Sequence, residues 1–548
     1  MGGICCKSKE KRSVVESTEN LRQLSELESQ SELRSISDTT SVIESTENLR
    51  QLSELESQSE LRSISDTSSV FELTRNLYQL TESEKDIILT DFVNAGYEKC
   101  KLKLSDSEIK EHQEEIISKV RRLCDKLGEL YPVFAVGDIL PNGSYFKGSK
   151  IIYPDECDLL LVFKKLSKKY VKISDAYWNN EVEVRIQSKN LKTRINDIKQ
   201  SLGVDKEVID DENNILPGIT YLRQSAINKC LSQLEGIHYK GKRRLGLTSS
   251  EWDCLNRLRL LHQEGSTSLY KYIIEEEYYS NDELKDRNRN GTYDPYLSPN
   301  TVKLDERKHG PCVRIRVGGG KYTTDIDLGF CINKQQTEHG RYVVLPYDPG
   351  PIGFITSWTQ SVYNSKHKLD KHHNKLLMLL KLLILECHLI PHSSTYSSHA
   401  LKTLVLHHQA TCTSSAGSLG GCLCDVAHHV FELYEMKEVD GHLWIYDSEK
   451  ELPDVDFPDV DVQPRSFSGI RSDNYWLMPV VLYITIRALR SGCCTGEEVL
   501  HVDRWLILSE LWNSKKGGYV RQYGPINDRE WKIPMRKIDE LITRFYSK

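Results

Sequence analysis

Two acidic residues one position apart, Glu156 and Asp158, stand immediately before a short apolar run, Leu159–Phe163 (LLLVF). The run is short, continuous and β-compatible, which reads as a buried strand. Strand side chains alternate faces, so Glu156 and Asp158 point one way and Cys157 the other. Two carboxylates sharing one face at a strand's start call for a cation. Hard oxygen donors of this kind suit Mg²⁺, or Mn²⁺, which takes one or two carboxylates together with substrate phosphates. Twelve residues upstream, Gly143 and Ser144 offer a backbone able to approach a phosphate closely and a hydroxyl able to bond it.

A second acidic strand follows. Val313–Val317, the GGGK turn at Gly318–Lys321 and Tyr322–Ile332 read as a β-hairpin. Within its second strand Asp325 and Asp327 share a face, and periodicity alone does not choose between them as a further metal ligand.

The stretch Gly143–Phe163, GSYFKGSKIIYPDECDLLLVF, resembles the active-site segment of polymerase-beta-type nucleotidyltransferases, and more narrowly that of the metazoan cyclic GMP-AMP synthase-like receptors. The resemblance covers most of residues 83–435. It implies an α/β nucleotidyltransferase core with a helical C-terminal lobe and a two-metal site of Glu156, Asp158 and, by likeness to the family's VDI strand, Asp325. Asp327 then becomes a neighbour of that site. The helix around Tyr396–His407 resembles the family's SSYHxKTxxLH segment, which implies nucleotide contacts from Ser398 and Lys402, with Ser144 at the phosphate turn. His399 stands where the family often has a base-stacking tyrosine. Lys381, within MLLKLLILE, matches a phosphate-contacting lysine; its own sequence context reads as a snorkelling lysine on an amphipathic helix.

The resemblance also implies ATP, GTP or another NTP as substrates, a cyclic dinucleotide product in innate antiviral signalling, and a nucleic-acid activator with assembly on it. The family's W-R-x-S-F segment appears here as Trp358–Ser361 with Thr359 in place of arginine, which leaves the second nucleotide open. The family's vertebrate member carries a zinc-binding insertion in this region. The interval Val362–Lys375 holds His367, His372 and His373 but no cysteine, so no zinc is expected there. Cys412, Cys422, Cys424 and His428 are a different candidate set, against reduced cysteines in a helix-loop-helix as the preferred reading. Without the zinc element, double-stranded RNA is favoured over DNA. Lys240, Lys242, Arg243 and Arg244 form a basic run suited to phosphate backbones, with further clusters around Lys164–Lys172 and Lys366–Lys371. A linear oligoadenylate synthetase and a catalytically silent, membrane-tethered nucleic-acid scaffold are the alternatives. The E-x-D spacing and the YSSHALKT segment argue against the first, the intact acids against the second.

The elements that position these residues are legible in part. Ser105 to Glu108 reads as a helix start, and Ile116, Ile117, Val120, Leu123 and Leu127 then recur at helical spacing. Val133–Val136 reads as a strand. The division expected is an anchor segment at 1–12, repeats at 13–80, a nucleotidyltransferase core at 81–350 and a helical lobe at 351–548. The repeats are two identical copies of ESTENLRQLSELESQSELRSISDT, beginning at Glu16 and Glu44, a period of 28. Leu21, Leu24, Leu27, Leu33 and Ile36 fall on different heptad phases, so a solvated linker fits better than a coiled coil.

Residues 1–12, MGGICCKSKEKR, resemble an N-myristoylation site at Gly2 with palmitoylation at Cys5 and Cys6 and a basic flank. One acyl chain binds membranes only marginally, so the second signals matter. With 548 residues, 39% hydrophobic and 28% charged, the chain is neither polytopic nor wholly disordered. Fifteen cysteines are too sparse for a disulfide scaffold, which favours the cytosol, reached from the cytosolic face of a membrane if the anchor operates. The net charge of −6 balances 73 basic against 79 acidic residues, so any nucleic-acid surface must be local.

Overall fold

The chain divides into two units, Met1–Gln79 and Leu80–Lys548. The computed structural model describes residues 80–546 of the second, apart from 204–215, 244–296, 345–357, 387–397, 457–476, 512–529 and several shorter breaks. Gly2, Cys5, Cys6 and the 28-residue repeats lie outside the described residues.

The unit opens with two long helices, α1 (Glu82–Cys100) and α2 (Asp106–Leu130). Both start on capping boxes, Thr81 with Glu84 and Ser105 with Glu108, which satisfy backbone N–H groups that a helix start leaves open. Then follow β1 (Val136–Asn142), the one-turn helix α3 (Gly143–Phe146), β2 (Glu156–Phe163), β3 (Val171–Asp175), β4 (Glu181–Ile186), α4 (Lys189–Ser201), α5 (Leu216–Ser232) and β5 (His238–Arg243). After them come β6 (Thr301–Asp305), β7 (Val313–Gly318), β8 (Thr323–Gln335), β9 (Arg341–Val344) and β10 (Trp358–Val362). A helical lobe completes the unit: α6 (Lys371–Glu386), α7 (Ser398–Thr411), α8 (Leu419–Leu433), α9 (Leu477–Arg490) and α10 (Met535–Tyr546), with a small sheet of β11 (Lys437–Val439), β12 (His442–Tyr446) and β13 (Glu530–Pro534).

The main sheet runs β3-β4-β10-β9-β8-β7-β6-β5, with β2 pairing both β1 and β8. β7 and β8 form the expected antiparallel hairpin. β2 lies parallel to β8, so the acidic start of one strand is set beside the acidic stretch of the other. One face of the sheet is the core: Cys157, Leu159, Leu161 and Phe163 of β2 and Ile326, Leu328 and Phe330 of β8 pack against Ile116, Val120, Leu123 and Leu127 of α2. Burying side chains of this size contributes about 1.5–3 kcal/mol each. The opposite face carries the carboxylates, followed by the small cluster of Leu160, Val162, Cys331, Tyr342 and Val344.

The helical lobe has its own core, centred on α6, whose residues Leu376–Leu380 and Leu382–Leu385 are all buried. This core crosses the expected boundaries. α1, although N-terminal, contributes Leu89, Phe92 and Val93 to it, and β10, although beyond residue 350, belongs to the sheet. The strand expected at Val133–Val136 is instead a 3-10 turn at Pro132–Phe134, with β1 starting at Val136. Pro132 fixes its own φ and removes a ladder donor, which favours the turn. Among the described residues no helix is long and apolar enough to cross a membrane.

Candidate active site

The α/β architecture with a helical C-terminal lobe is the one expected, and it opens a cleft of about 1040 Å³. Ser144, Glu156, Asp158, Lys381, Ser398 and Lys402, spread over more than 250 residues of sequence, all line it. Pockets for small molecules occupy roughly 300–1,000 Å³, so the cleft can take a ligand at the upper end of that range.

The Gly143–Ser144 turn is built first. β1 ends at Asn142, in register with Asp158 of β2. Gly143 then adopts φ +71, and a Cβ there would lie 1.7 Å from Asp158 Oδ2. Glycine is required twice over, by backbone and by space. The turn is pinned from behind: His112 Nδ1 lies 2.7 Å from the Tyr145 hydroxyl and its Nε2 3.1 Å from Thr324 Oγ1. Thr324 Oγ1 donates in turn to the Pro154 carbonyl. His112 was not legible as a positioning residue, because its partners lie 33 and 212 positions away.

The carboxylates come next. Glu156 stands opposite Asp325 and Asp158 opposite Asp327, and all four project from one face. Their counter-charges come from β7. Arg316 forks onto Asp325 (Nε–Oδ1 2.6 Å, Nη2–Oδ2 2.7 Å) and Arg314 onto Asp327 (2.6 and 2.8 Å), with Arg314 Nη2 also 2.8 Å from Glu156 Oε1. Lys150 lies 2.9 Å from Asp155 and 3.1 Å from Glu156. Pairing offsets part of the desolvation cost of these buried charges, and removing one partner of such a pair costs about 3–5 kcal/mol.

Among the described residues, five carboxylates thus meet three cations. The imbalance is felt at Asp158, whose carboxyl is pushed up to about 6 by burial, then by the charges of Glu156 and Asp327. A set of oxygen donors with excess negative charge and a wall open to the cleft at Glu156 and Asp158 fits divalent cations. Asp325, 2% exposed, sits deeper. Each of its oxygens gives Arg316 one lone pair and keeps another. Periodicity left Asp325 and Asp327 equivalent, and the structure holds both by arginine forks.

The cleft also carries positive charge. Lys147, Lys368, Lys371, Lys381 and Lys402 all line it. Lys147 is held below its ordinary value by burial and then by repulsion from Lys402. Lys381 Nζ donates to the Ser149 carbonyl at 2.8 Å, so this lysine both braces the turn and faces the cleft. Ser398 and His399 form the exposed N-terminus of α7, a helix end that favours negative charge. His399 Nε2 is 2.7 Å from Asp454 Oδ2, and Tyr363 adds an aromatic wall. Lys368 and Lys371 belong to a basic run that sequence alone grouped with nucleic-acid clusters; the fold turns them into the cleft. Of the other run, Lys240 lies exposed on the edge strand β5, Lys242 and Arg243 lie on the same strand, and Arg244 is outside the described residues. Lys240 is not among the described residues that line the cleft.

No family model and no curated relative matches the chain. Among solved structures, CdnC of E. coli MS115-1 with ATP is 8% identical and covers 84% of this chain and 97% of its own, at a TM-score of 0.36. The complex of the same E. coli protein with HORMA-deltaN aligns at 11% identity, covering 76% and 94%, at a TM-score of 0.37. Likeness at this level adds no argument to the geometry above.

Proposed function

We propose that the chain is a nucleotidyltransferase that joins nucleoside triphosphates into a cyclic dinucleotide. One observation carries the reading: a single cleft sets an acidic wall, a glycine-serine turn and five lysines around a volume suited to nucleotides. In the reaction a ribose hydroxyl oxygen bonds to an α-phosphorus, the bond from that phosphorus to the bridging oxygen breaks, and pyrophosphate leaves. A second round closes the ring.

The backbone at Gly143 and the Ser144 hydroxyl bond phosphate oxygens. Lys381 and Lys402 offset the triphosphate's charge from the helical side, with Lys147 and Lys368 beside them. Glu156, Asp158 and Asp325 would hold two Mg²⁺ or Mn²⁺ ions, with Arg316 orienting Asp325. Such a metal pair supplies charge stabilisation for the attacking and leaving oxygens. The α7 N-terminus at Ser398 adds a further dipole toward bound anions. Tyr363, His399, Phe146 and His367 line the cleft and offer ring surfaces to a base.

Double-stranded RNA is the activator we favour, with Lys240, Lys242, Arg243 and Arg244 on its backbone, and Gly2, Cys5 and Cys6 anchor the chain to a membrane. Purified protein incubated with four NTPs, Mg²⁺ or Mn²⁺, and RNA duplex, DNA duplex or neither tests the reading. Cyclic products resolved by mass spectrometry support it. Linear oligoadenylates would replace the cyclic assignment, and absence of any condensation product in every arm would overturn the enzyme reading.

A further inference from the structure

The structure assigns a separate metal site to the helical lobe, in which His373, His408, Cys412 and Cys422 bind one Zn²⁺ as a structural ion. One ligand atom from each residue lies within 4.8 Å of all the others. The four come from three elements: His373 from the first turn of α6, His408 and Cys412 from the end of α7, and Cys422 from the first turn of α8.

Three details mark the cluster as a built site. The first is orphaned nitrogen. His373 and His408 are 2% and 7% exposed, and the Nε2 of each is buried with no hydrogen-bond partner among the described residues. Burying an unsatisfied polar atom costs about 1–3 kcal/mol, and two in contact with thiols call for a shared partner. The second is tautomer control. His373 Nδ1 lies 2.9 Å from both oxygens of Asp370, which places its proton there and turns the Nε2 lone pair into the cluster. Zinc-binding histidines are held by carboxylates in this way. The third is spacing. Cys412 Sγ and Cys422 Sγ are 3.7 Å apart, too far for a disulfide at about 2.05 Å. Two thiolates about 2.3 Å from a tetrahedral centre would sit roughly 3.75 Å apart.

The donor set also selects the metal. Two sulfurs and two imidazoles in a tetrahedral arrangement suit Zn²⁺. Two thiolates neutralise its charge, which suits a site walled by the lobe's core. His372 Nε2, 3.3 Å from Cys422 Sγ, is placed to donate to that sulfur from outside the ligand set.

The ligand set differs from the candidate set that the sequence offered. Cys412 and Cys422 remain, but Cys424 is not in the cluster, and His428 faces Glu432 at 3.5 Å with its side chain 75% exposed. The interval 362–375 lacks cysteine, yet its His373 meets ligands 35 to 49 positions further on. Helix packing supplies what local spacing did not. The ion would tie three helix ends beside the cleft: Gln409, between two ligands, accepts from Asp370 N–H at 3.0 Å and donates to the Lys368 carbonyl at 2.9 Å.

Metal analysis of the reduced, full-length chain after exchange into metal-free buffer tests the site without reading nucleotide chemistry, so its failure is separate from that of the enzyme reading. About one zinc per chain is expected, lost in Cys412→Ser/Cys422→Ser and kept in Cys424→Ser. Asp370→Ala should weaken zinc affinity by about 10- to 100-fold. Cobalt replacing zinc should give a thiolate-to-metal charge-transfer band. If the double variant does not fold, release of zinc from wild-type chain on titrating its thiols with a mercurial reads the same ligands. Wild-type chain without zinc or a cobalt–thiolate band, unchanged zinc in the double variant, or a Cys412–Cys422 disulfide in freshly prepared protein would overturn the assignment.

Discussion

Gly143 and Asp158 meet at the mouth of the cleft so closely that a single added methyl group would lie 1.7 Å from a carboxylate oxygen. This close approach sets the Gly143–Ser144 turn directly against the acidic wall, with no room for a side chain between them. Gly143→Ala should therefore abolish nucleotide condensation. An alanine at φ +71 costs about 1–2 kcal/mol before its overlap with the Asp158 carboxylate is added, so the melting temperature should fall and turnover must be normalised to folded protein. Wild-type turnover in this variant would show that the turn and Asp158 act independently.

Glu156→Gln, Asp158→Asn and Asp325→Asn are each expected to remove product formation, and isothermal titration should show loss of Mn²⁺ binding. Asp327→Asn should retain turnover per folded molecule. It leaves Arg314 short of one charge, so turnover must be normalised to folded protein by circular dichroism. Activity in Asp325→Asn with loss in Asp327→Asn would exchange the two assignments.

Arg316→Met should destabilise the protein by up to about 3–5 kcal/mol, because buried Asp325 loses both hydrogen bonds of its fork and keeps only the Arg314 Nη1 cation at 3.7 Å. Divalent metal should recover part of that loss by supplying the missing positive charge. Chemical denaturation with and without Mg²⁺ measures the difference. A metal effect equal in variant and wild type would detach Asp325 from the metal site.

Lys381→Met and Lys402→Met should raise the KM for NTP. Lys381→Met should also lower kcat, since Lys381 holds the Ser149 carbonyl behind the turn while Lys402 faces only the cleft side. Steady-state kinetics separates a lysine that braces Ser149 from one that lines the cleft. Identical effects of both variants would remove the bracing role from Lys381.

Charge reversal of Lys240, Lys242, Arg243 and Arg244 should weaken RNA binding and flatten its dependence on salt, because each neutralised phosphate releases counterions. Unstimulated synthesis should persist if this run serves RNA binding and not the chemistry of the cleft. RNA-stimulated synthesis equal to wild type would take the run out of the interface.

Gly2→Ala should move the chain from membrane to soluble fractions in cells, and Cys5→Ser with Cys6→Ser should do so in part. Condensation in vitro should survive removal of residues 1–79, because every described residue that lines the cleft lies after them. An unaltered cellular distribution in Gly2→Ala would leave the N-terminus without an anchoring role.

The sequence by itself determined whatever depends on neighbours along the chain. Strand parity put Glu156 and Asp158 on one face, the GGGK turn paired β7 with β8, and the Ser105–Glu108 cap began α2 on its first residue. Each of these follows from periodicities and hydrogen bonds that span two to four residues. Tertiary structure alone decided the rest. Arg314 and Arg316 read as ordinary alternating strand residues until β8 lies beside β7 and each becomes the counter-ion of an aspartate. Glu82–Cys100 looked like the start of the sheet domain, yet its apolar face found the helical lobe, because a helix packs where its stripe is complemented. Lys368 and Lys371 changed from outer charge to cleft lining, and His373 met Cys412 and Cys422 only through the meeting of three helix ends. A buried charge or an orphaned imidazole nitrogen is defined by what surrounds it in space, and those surroundings come from segments far apart in the chain.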